Sequence, residues 1–318
     1  MHQSILAGLA RGSDVGFGAK AGLALLLCAT GTGCTGSVDA TPRRMTVRVS
    51  SSASAVPLAN ALSQQPDVSV ESVRVSGSPA VIEALLRNEI DVGLATADVA
   101  YLAFVGELSS VPAFHELRGI AVLGLNTLHL IARRDTSVKS IGDLKGLTIG
   151  LGATSGTALV ANLLLEASGV KHSEVVRDPV PYTETAARLA DRTLAAAFMT
   201  VVPPAEPVID AMKNGARLVE IEGPVVEQLR LQHPFLVNTT IPRGTYPGQS
   251  APVRTIGVDL LLVCRADLSG DVVSRVMDVY FKALGRSALA IDFDRAPATS
   301  IPLHAAAGRY YRQRELSR

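Results

Sequence analysis

The residues best suited to chemistry in this chain are hydroxyls and glycines at places where strands should give way to helices. Ser76-Gly77-Ser78-Pro79 follows a strand-like run, with Ser in the N-cap place and Pro at the first helical position. Thr96-Ala97-Asp98 closes the next strand with a capping Thr, and Gly152-Ala153-Thr154-Ser155-Gly156-Thr157 repeats the arrangement with more hydroxyls and two glycines. Unpaired N–H groups and the positive end of the helix dipole make such turns anion sites. Glycine lets a ligand approach the backbone, and hydroxyls add hydrogen bonds. Each turn taken singly is also an ordinary helix cap. Several in register would line the region beyond the carboxyl ends of the strands, where open parallel sheets bind ligands.

Catalytic patterns were sought and not found. Gly152–Gly156 reads G-x-x-S-G rather than the G-x-S-x-G of a hydrolase elbow. H-E-x-x-H, G-x-x-x-x-G-K-[ST] and a clean G-x-G-x-x-G after a strand are absent from the sequence. His2, His115, His129, His172, His233 and His304 are scattered without metal-ligand spacing. His129, inside an apolar strand, reads as a core residue, and His304 as a helix-start or packing residue. The chain calls for no cofactor and no metal.

The elements that must carry these turns come in two series. In the first, MTVRVS (45–50), VSVESVRV (68–75) and DVGLAT (91–96) read as strands, with helices over Ala55–Gln64 and Pro79–Asn88 between them. This β-α-β-α-β rhythm implies a parallel sheet covered by helices on both faces. Two longer strands are predicted near 117–124 and 127–134. The second series has strands at 147–152, 175–180, 194–200 and 217–221, with helices at 156–168, 184–191, 205–214 and 224–232. A Pro/Gly-rich stretch, 234–253, leads to the strand RTIGVDLLLVCR (254–265), and helices near 271–284 and 304–315 follow. The segment Leu85–Thr96 has a faint echo in Leu189–Thr200, which suggests two similar α/β lobes.

The chain has 318 residues, 47% hydrophobic and 19% charged, a globular balance at a length that favours two domains. Thirty basic against twenty-nine acidic residues give a net charge of +1, without the basic stripe of a nucleic-acid binder. Aromatic content is 4% with no Trp, which argues against stacking platforms. Cys28, Cys34 and Cys264 are too few for a disulfide framework or a zinc site.

Two of these cysteines lie in an N-terminal segment of its own kind. Ala21–Ala29 is an apolar run too short to span a bilayer and reads as the core of an export signal over residues 1–33. Small residues then lead to Cys34, where a lipoprotein signal would be cut and the thiol acylated. Simple secretion and an uncleaved extension are the alternatives. Residues 34–44 read as a tether, and the folded part is expected outside the cytoplasm, with the membrane reached only through the lipid.

Longer pieces of the sequence resemble one family. Asp91–Tyr101, Leu117–Arg134 with His129, Ile141–Thr157, His233–Gln249 (HPFLVNTTIPRGTYPGQ) and Ile301–Tyr311 (IPLHAAAGRYY) are similar to TAXI-type solute-binding subunits of TRAP transporters. The resemblance implies an α/β, two-lobed periplasmic-binding-protein type II fold, a Venus flytrap, with lobe 1 formed by 45–135 plus 254–318 and lobe 2 by 136–253. It implies capture of a small organic anion, a carboxylate, for membrane-embedded TRAP permease subunits driven by an ion gradient. Carried over by position, the ligand would meet Ser50, Ser51, Ser52 and Ser54, then Ser76, Gly77 and Ser78, then Thr96, Asp98 and Tyr101. Thr154, Ser155, Gly156, Thr157, Thr200, Asn238, Thr239 and Thr240 would form the facing wall, and Tyr246 the rim. The family has a Gly-rich turn ending in two aromatics after the first strand. Here Ser50–Val56 is SSSASAV, which implies a smaller, hydroxyl-rich floor without an aromatic lid.

The expectation is therefore a binding protein without chemistry of its own, closing by hinge motion near 132–138 and 250–256. Asp98 is open to three readings: opposition to an anion, a hydrogen bond to an amino group, or a structural cap. A ligand sensor presenting its state to a membrane receptor is the second function class, and a catalyst on the same fold the third.

Overall fold

The computed structural model describes residues 44–51, 55–75, 77–152, 155–283 and 294–316. The export signal, the tether up to residue 43 and Cys34 lie outside them. Among the described residues no helix is long and apolar enough to cross a membrane.

The first series folds as β1 (Met45–Ser50), α1 (Val56–Ser63), β2 (Val68–Val73), α2 (Gly77–Leu86), β3 (Val92–Thr96) and α3 (Ala97–Val105). β1 lies between β2 and β3 and is parallel to both. In β1 the alternation buries Val47 and Val49 and leaves Arg48 outside, where it pairs with Asp91 at the start of β3. β3 is buried over four consecutive residues, as a strand covered on both faces must be.

Next comes β4 (Leu117–Arg133), one strand of 17 residues where two were expected. The polar, Gly-containing middle that suggested a break is a stretch of irregular register against a later strand. The second series is β5 (Thr148–Gly150), α4 (Ser155–Ala167), β6 (Val176–Asp178), α5 (Tyr182–Ala190), β7 (Ala196–Val201), α6 (Glu206–Lys213), β8 (Ala216–Val219) and α7 (Pro224–Gln232). β9 (Leu236–Ile241), β10 (Val253–Arg265), α8 (Gly270–Ala283) and α9 (Ala305–Glu315) complete the described elements. β9 falls in the stretch read as loop. Its exposed Asn238 and Thr240 hide the strand pattern, because only one face of it is covered.

The sheet runs β2-β1-β3-β10-β4-β7-β5-β6, with β8 against β4 and β9 against β10. The flanking strands are parallel as expected, but β10 and β4 are antiparallel to their neighbours and join the two series. Both change partners midway. β4 leaves β10 for β7 at Thr127, and β10 passes from β9 to β3 between Val258 and Leu260. The crossing therefore lies nearer the middle of these strands than residues 132–138 and 250–256. Gly257 is needed there, since a Cβ would lie 2.8 Å from the Asn126 carbonyl oxygen.

Helices are held by helical-period apolar faces. α8 buries Val273, Val276, Met277 and Tyr280 against a cluster containing Val47, Leu58 and Leu62. Cys264 is fully buried in the same cluster, and desolvation pushes its thiol pKa up. His304 caps α9, accepting from the Ala306 amide at 3.2 Å.

Candidate functional site

A cavity of about 630 Å³ opens between the two series, within the range of small-molecule sites. Its floor is Asn126 of β4 and Val258 of β10, at the point where these strands change partners. One wall is the first turns of α2 and α3 with the end of β3: Gly77, Ser78, Pro79, Ala80, Glu83, Thr96, Asp98 and Val99. The other is Gly156 and Thr157 of α4, Tyr182 of α5 and Thr200 of β7.

The first wall is tied by a hydroxyl. Ser78 Oγ accepts from the Thr96 amide at 3.0 Å and from Thr96 Oγ1 at 3.3 Å. α2 starts at Gly77, so Ser78 lies inside its first turn rather than at the cap. Thr96 occupies the N-cap position of α3, but its side chain makes no capping bond, because it is turned to Ser78.

The second wall is organised by Tyr182. Its hydroxyl accepts from the Thr200 amide at 3.1 Å and shares a 2.5 Å hydrogen bond with Thr157 Oγ1. The ring lies over Gly152, where a Cβ would come within 2.4 Å of Cε1 and φ is +46°. Glycine is required here on both counts. An aromatic side chain thus lines the cavity from α5, where none was anticipated.

Asp98 has the most unusual setting. It is 1% exposed, and its Oδ1 has no hydrogen-bond partner. Gly156 lets the walls approach: a Cβ there would lie 3.2 Å from Asp98 Oδ2. Burial raises the Asp98 pKa, opposed by hydrogen bonds from Thr96 and the Val99 amide. Thr200 Oγ1 is likewise buried without a partner. Among the described residues no Lys, Arg or His lines the cavity, and none forms with others a cluster able to hold a metal ion.

Of the residues singled out in the sequence, Gly77, Ser78, Thr96, Asp98, Gly156, Thr157 and Thr200 come together here. Ser52, Ser54, Ser76 and Thr154 lie outside the described residues, and Ser155 begins α4. Ser50 is fully buried beside Gly93, and Ser51 is exposed with its amide bonded to Val73. Tyr101 packs on Phe235, ring centroids 5.6 Å apart, and turns toward the core instead of the cavity. Asn238, Thr239 and Thr240 line a separate groove of about 320 Å³ with Glu222 and Arg254, because β9 pairs with the outer part of β10. Tyr246 is no rim residue: it is 3% exposed, and its hydroxyl meets His129 Nε2 at 2.8 Å.

Tyr182, Asn126, Glu83 and Val258 were not anticipated. The strand-to-helix rule applied after β6 points to Tyr182. Asn126, a polar residue in an apolar run, read as a strand break.

A family model described as the NMT1-like family matches residues 53–314. The chain belongs to the NMT1-like family. Among solved structures, this NMT1-like protein is similar to the periplasmic aliphatic sulphonate binding protein SsuA from Escherichia coli, at 14% identity and a TM-score of 0.50, covering 85% of this chain and 79% of that one. A Xanthomonas citri protein bound to ATP matches at 14% identity and a TM-score of 0.50, over 84% of this chain and 94% of that one. These likenesses show the fold: a mixed α/β architecture of the periplasmic solute-binding type, with helices around a curled sheet.

Proposed function

We propose that this NMT1-like protein is an extracytoplasmic solute-binding protein that captures a small carboxylate between its two halves. The halves correspond to 45–135 plus 254–318 and to 136–253, and they close about the partner changes of β4 and β10. The observation that carries this reading is the cavity whose floor is those two strands and whose walls come from both series. The ligand's carboxylate is held by main-chain amides and by the hydroxyls of Ser78, Thr157, Tyr182 and Thr200. The protein hands its ligand to membrane-embedded TRAP permease subunits, as the TAXI resemblance suggests, and Cys34 anchors it through lipid. Intact mass of the membrane-fraction protein tests the anchor, by the presence or absence of a diacylglycerol increment.

Thermal-shift screening of the purified protein against oxoacids, dicarboxylates, amino acids and sulfonates tests the binding. A ligand at a hundredfold its Kd stabilises the fold by about 2.7 kcal/mol, a clear rise in Tm. If every class leaves Tm unchanged, the carboxylate reading fails.

A further inference from the structure

We propose that the ligand carries an amino group as well as its acid group, and that Asp98 is the residue that receives it. The inference rests on the solute-binding reading and narrows its substrate class. Three observations lead to it.

The cavity is acidic. Among the described residues its lining carries two carboxyl groups, Glu83 and Asp98, and no cationic side chain. Glu83 is matched by Arg87, 3.7 Å away one helical turn on, whereas no ion pair is found for Asp98. An anion alone would bring a further negative charge to a buried carboxylate that has no counter-charge.

Asp98, a residue of the cavity wall, also has spare capacity. A carboxylate can accept about four hydrogen bonds, yet Oδ1 has none although the side chain is 1% exposed. Orphaned buried acceptors are rare, and one on a residue that lines a cavity can be met by a donor from outside the protein. An ammonium group supplies three donors and a positive charge together.

Finally, Thr200 Oγ1 is a second buried acceptor without a partner, and it reaches the same cavity from the facing wall. Its hydroxyl can donate to the ligand's acid group while an ammonium donates to Asp98, so a molecule carrying both groups serves both walls. At about 630 Å³ the space suits an organic molecule rather than a bare cation.

The test is calorimetric titration of the full chain, in amine-free buffer at pH 7, with matched pairs: L-glutamate and glutarate, L-valine and isovalerate, taurine and ethanesulfonate. Within the pair that binds, the amino member is expected to bind roughly tenfold or more tighter, the worth of a hydrogen bond to a charged group. Asp98→Asn is expected to erase that preference, weakening the amino member and, with the buried negative charge gone, leaving the deaminated member bound no more weakly than before. Thr200→Val is expected to weaken both members of the pair and to leave the preference between them.

If the deaminated member binds as tightly as its partner or tighter, the amino group is not recognised, and the proposal falls while the solute-binding reading stands. If no member of any pair binds, both fall. A preference that survives in Asp98→Asn overturns the assignment to Asp98. The wild-type comparison decides the matter of ligand class even if the Asp98 variant does not fold.

Discussion

His129 and Asp98 are each 1% exposed, and the fold treats them in opposite ways. His129 Nδ1 lies 2.9 Å from the Thr127 carbonyl, so it must donate, and Nε2 therefore accepts from Tyr246 at 2.8 Å. Nearby, Thr255 Oγ1 donates to the Leu128 carbonyl at 2.7 Å. Both ring nitrogens are used, and the ring stays neutral. Asp98 keeps an acceptor unused beside a cavity, between helix N-termini that favour its charge. A closed set of partners marks a polar group that holds the fold together. An open one, on a residue that lines a cavity, marks a group whose partner is expected from outside.

The sharpest way to break this comparison is acid. Burial lowers the His129 pKa from 6.5 to about 4, so the unfolded chain takes up a proton before the folded one does. A depressed histidine pKa gives stability that is present above pH 6.5 and is lost as pH falls toward 4. A shift of this size corresponds to about 3 kcal/mol lost between pH 7 and pH 4. His129→Gln keeps a donor and an acceptor but cannot titrate. Urea midpoints of the two proteins across that range isolate the contribution, since the other acids are common to both. Parallel pH profiles would show that His129 is not held neutral.

Tyr246→Phe sharpens the same side of the comparison. It leaves Nε2 buried without a donor and is expected to destabilise the fold by about 2 kcal/mol. Because Tyr246 does not line the cavity, calorimetric Kd values should stay unchanged. A weaker Kd with unchanged stability would return Tyr246 to the rim.

How much of this was readable beforehand follows from whether the cause is local. Apolar runs such as DVGLAT and RTIGVDLLLVCR become β3 and β10 nearly as read, and α7 starts at Pro224 behind Gly223, a start signal written in two residues. β4 was split because Gly124 and Asn126 look like a turn, and only pairing with β10 and β7 keeps the chain extended there. The strand-to-helix rule brought Gly77, Ser78, Thr96, Asp98, Gly156 and Thr157 to one cavity, since it depends on sheet direction alone, and the family resemblance added Thr200. It could not find Tyr182's role, which depends on the bare backbone of Gly152, far back along the chain. Similarity of the GTYPGQ piece likewise supplied Tyr246 as a position, but whether the ring faces solvent or His129 is decided by tertiary packing. Asp98 was legible as a candidate. Its missing partner was not, because that depends on how α4 seats Gly156 against it.

A third change separates positioning from architecture within the cavity. Tyr182→Phe removes the hydroxyl shared by Thr157 and the Thr200 amide. The cavity admits water to replace part of what is lost, so the expected destabilisation is about 1 kcal/mol rather than 2. Ligand affinity should fall severalfold, on the order of fivefold, because the hydroxyl also faces the ligand. Loss of stability without loss of affinity would make Tyr182 a wall strut only.

The smallest expected change in stability is at Asp98 itself, and its sign is the useful part. Burial raises this carboxyl's pKa, so ionising it opposes folding: that contribution is best at low pH and is lost as pH rises through the folded value. His129 has the reverse slope. Asp98→Asn removes the buried charge, which favours folding, and removes an acidic residue from the first turn of α3, which disfavours it by a few tenths to about 1 kcal/mol. The two effects nearly offset, and the net change at pH 7 should stay within about 1 kcal/mol. The pH slope changes nonetheless. Melting temperatures of the two proteins are to be compared as the pH is lowered from 7 toward the ordinary aspartate range. The variant should lose more stability on acidification than the wild type does, since it lacks the gain that protonating Asp98 brings, while the buried Asp259 is common to both. An unchanged slope would mean that Asp98 is already satisfied in the free protein, and its open oxygen would then be no guide to the ligand.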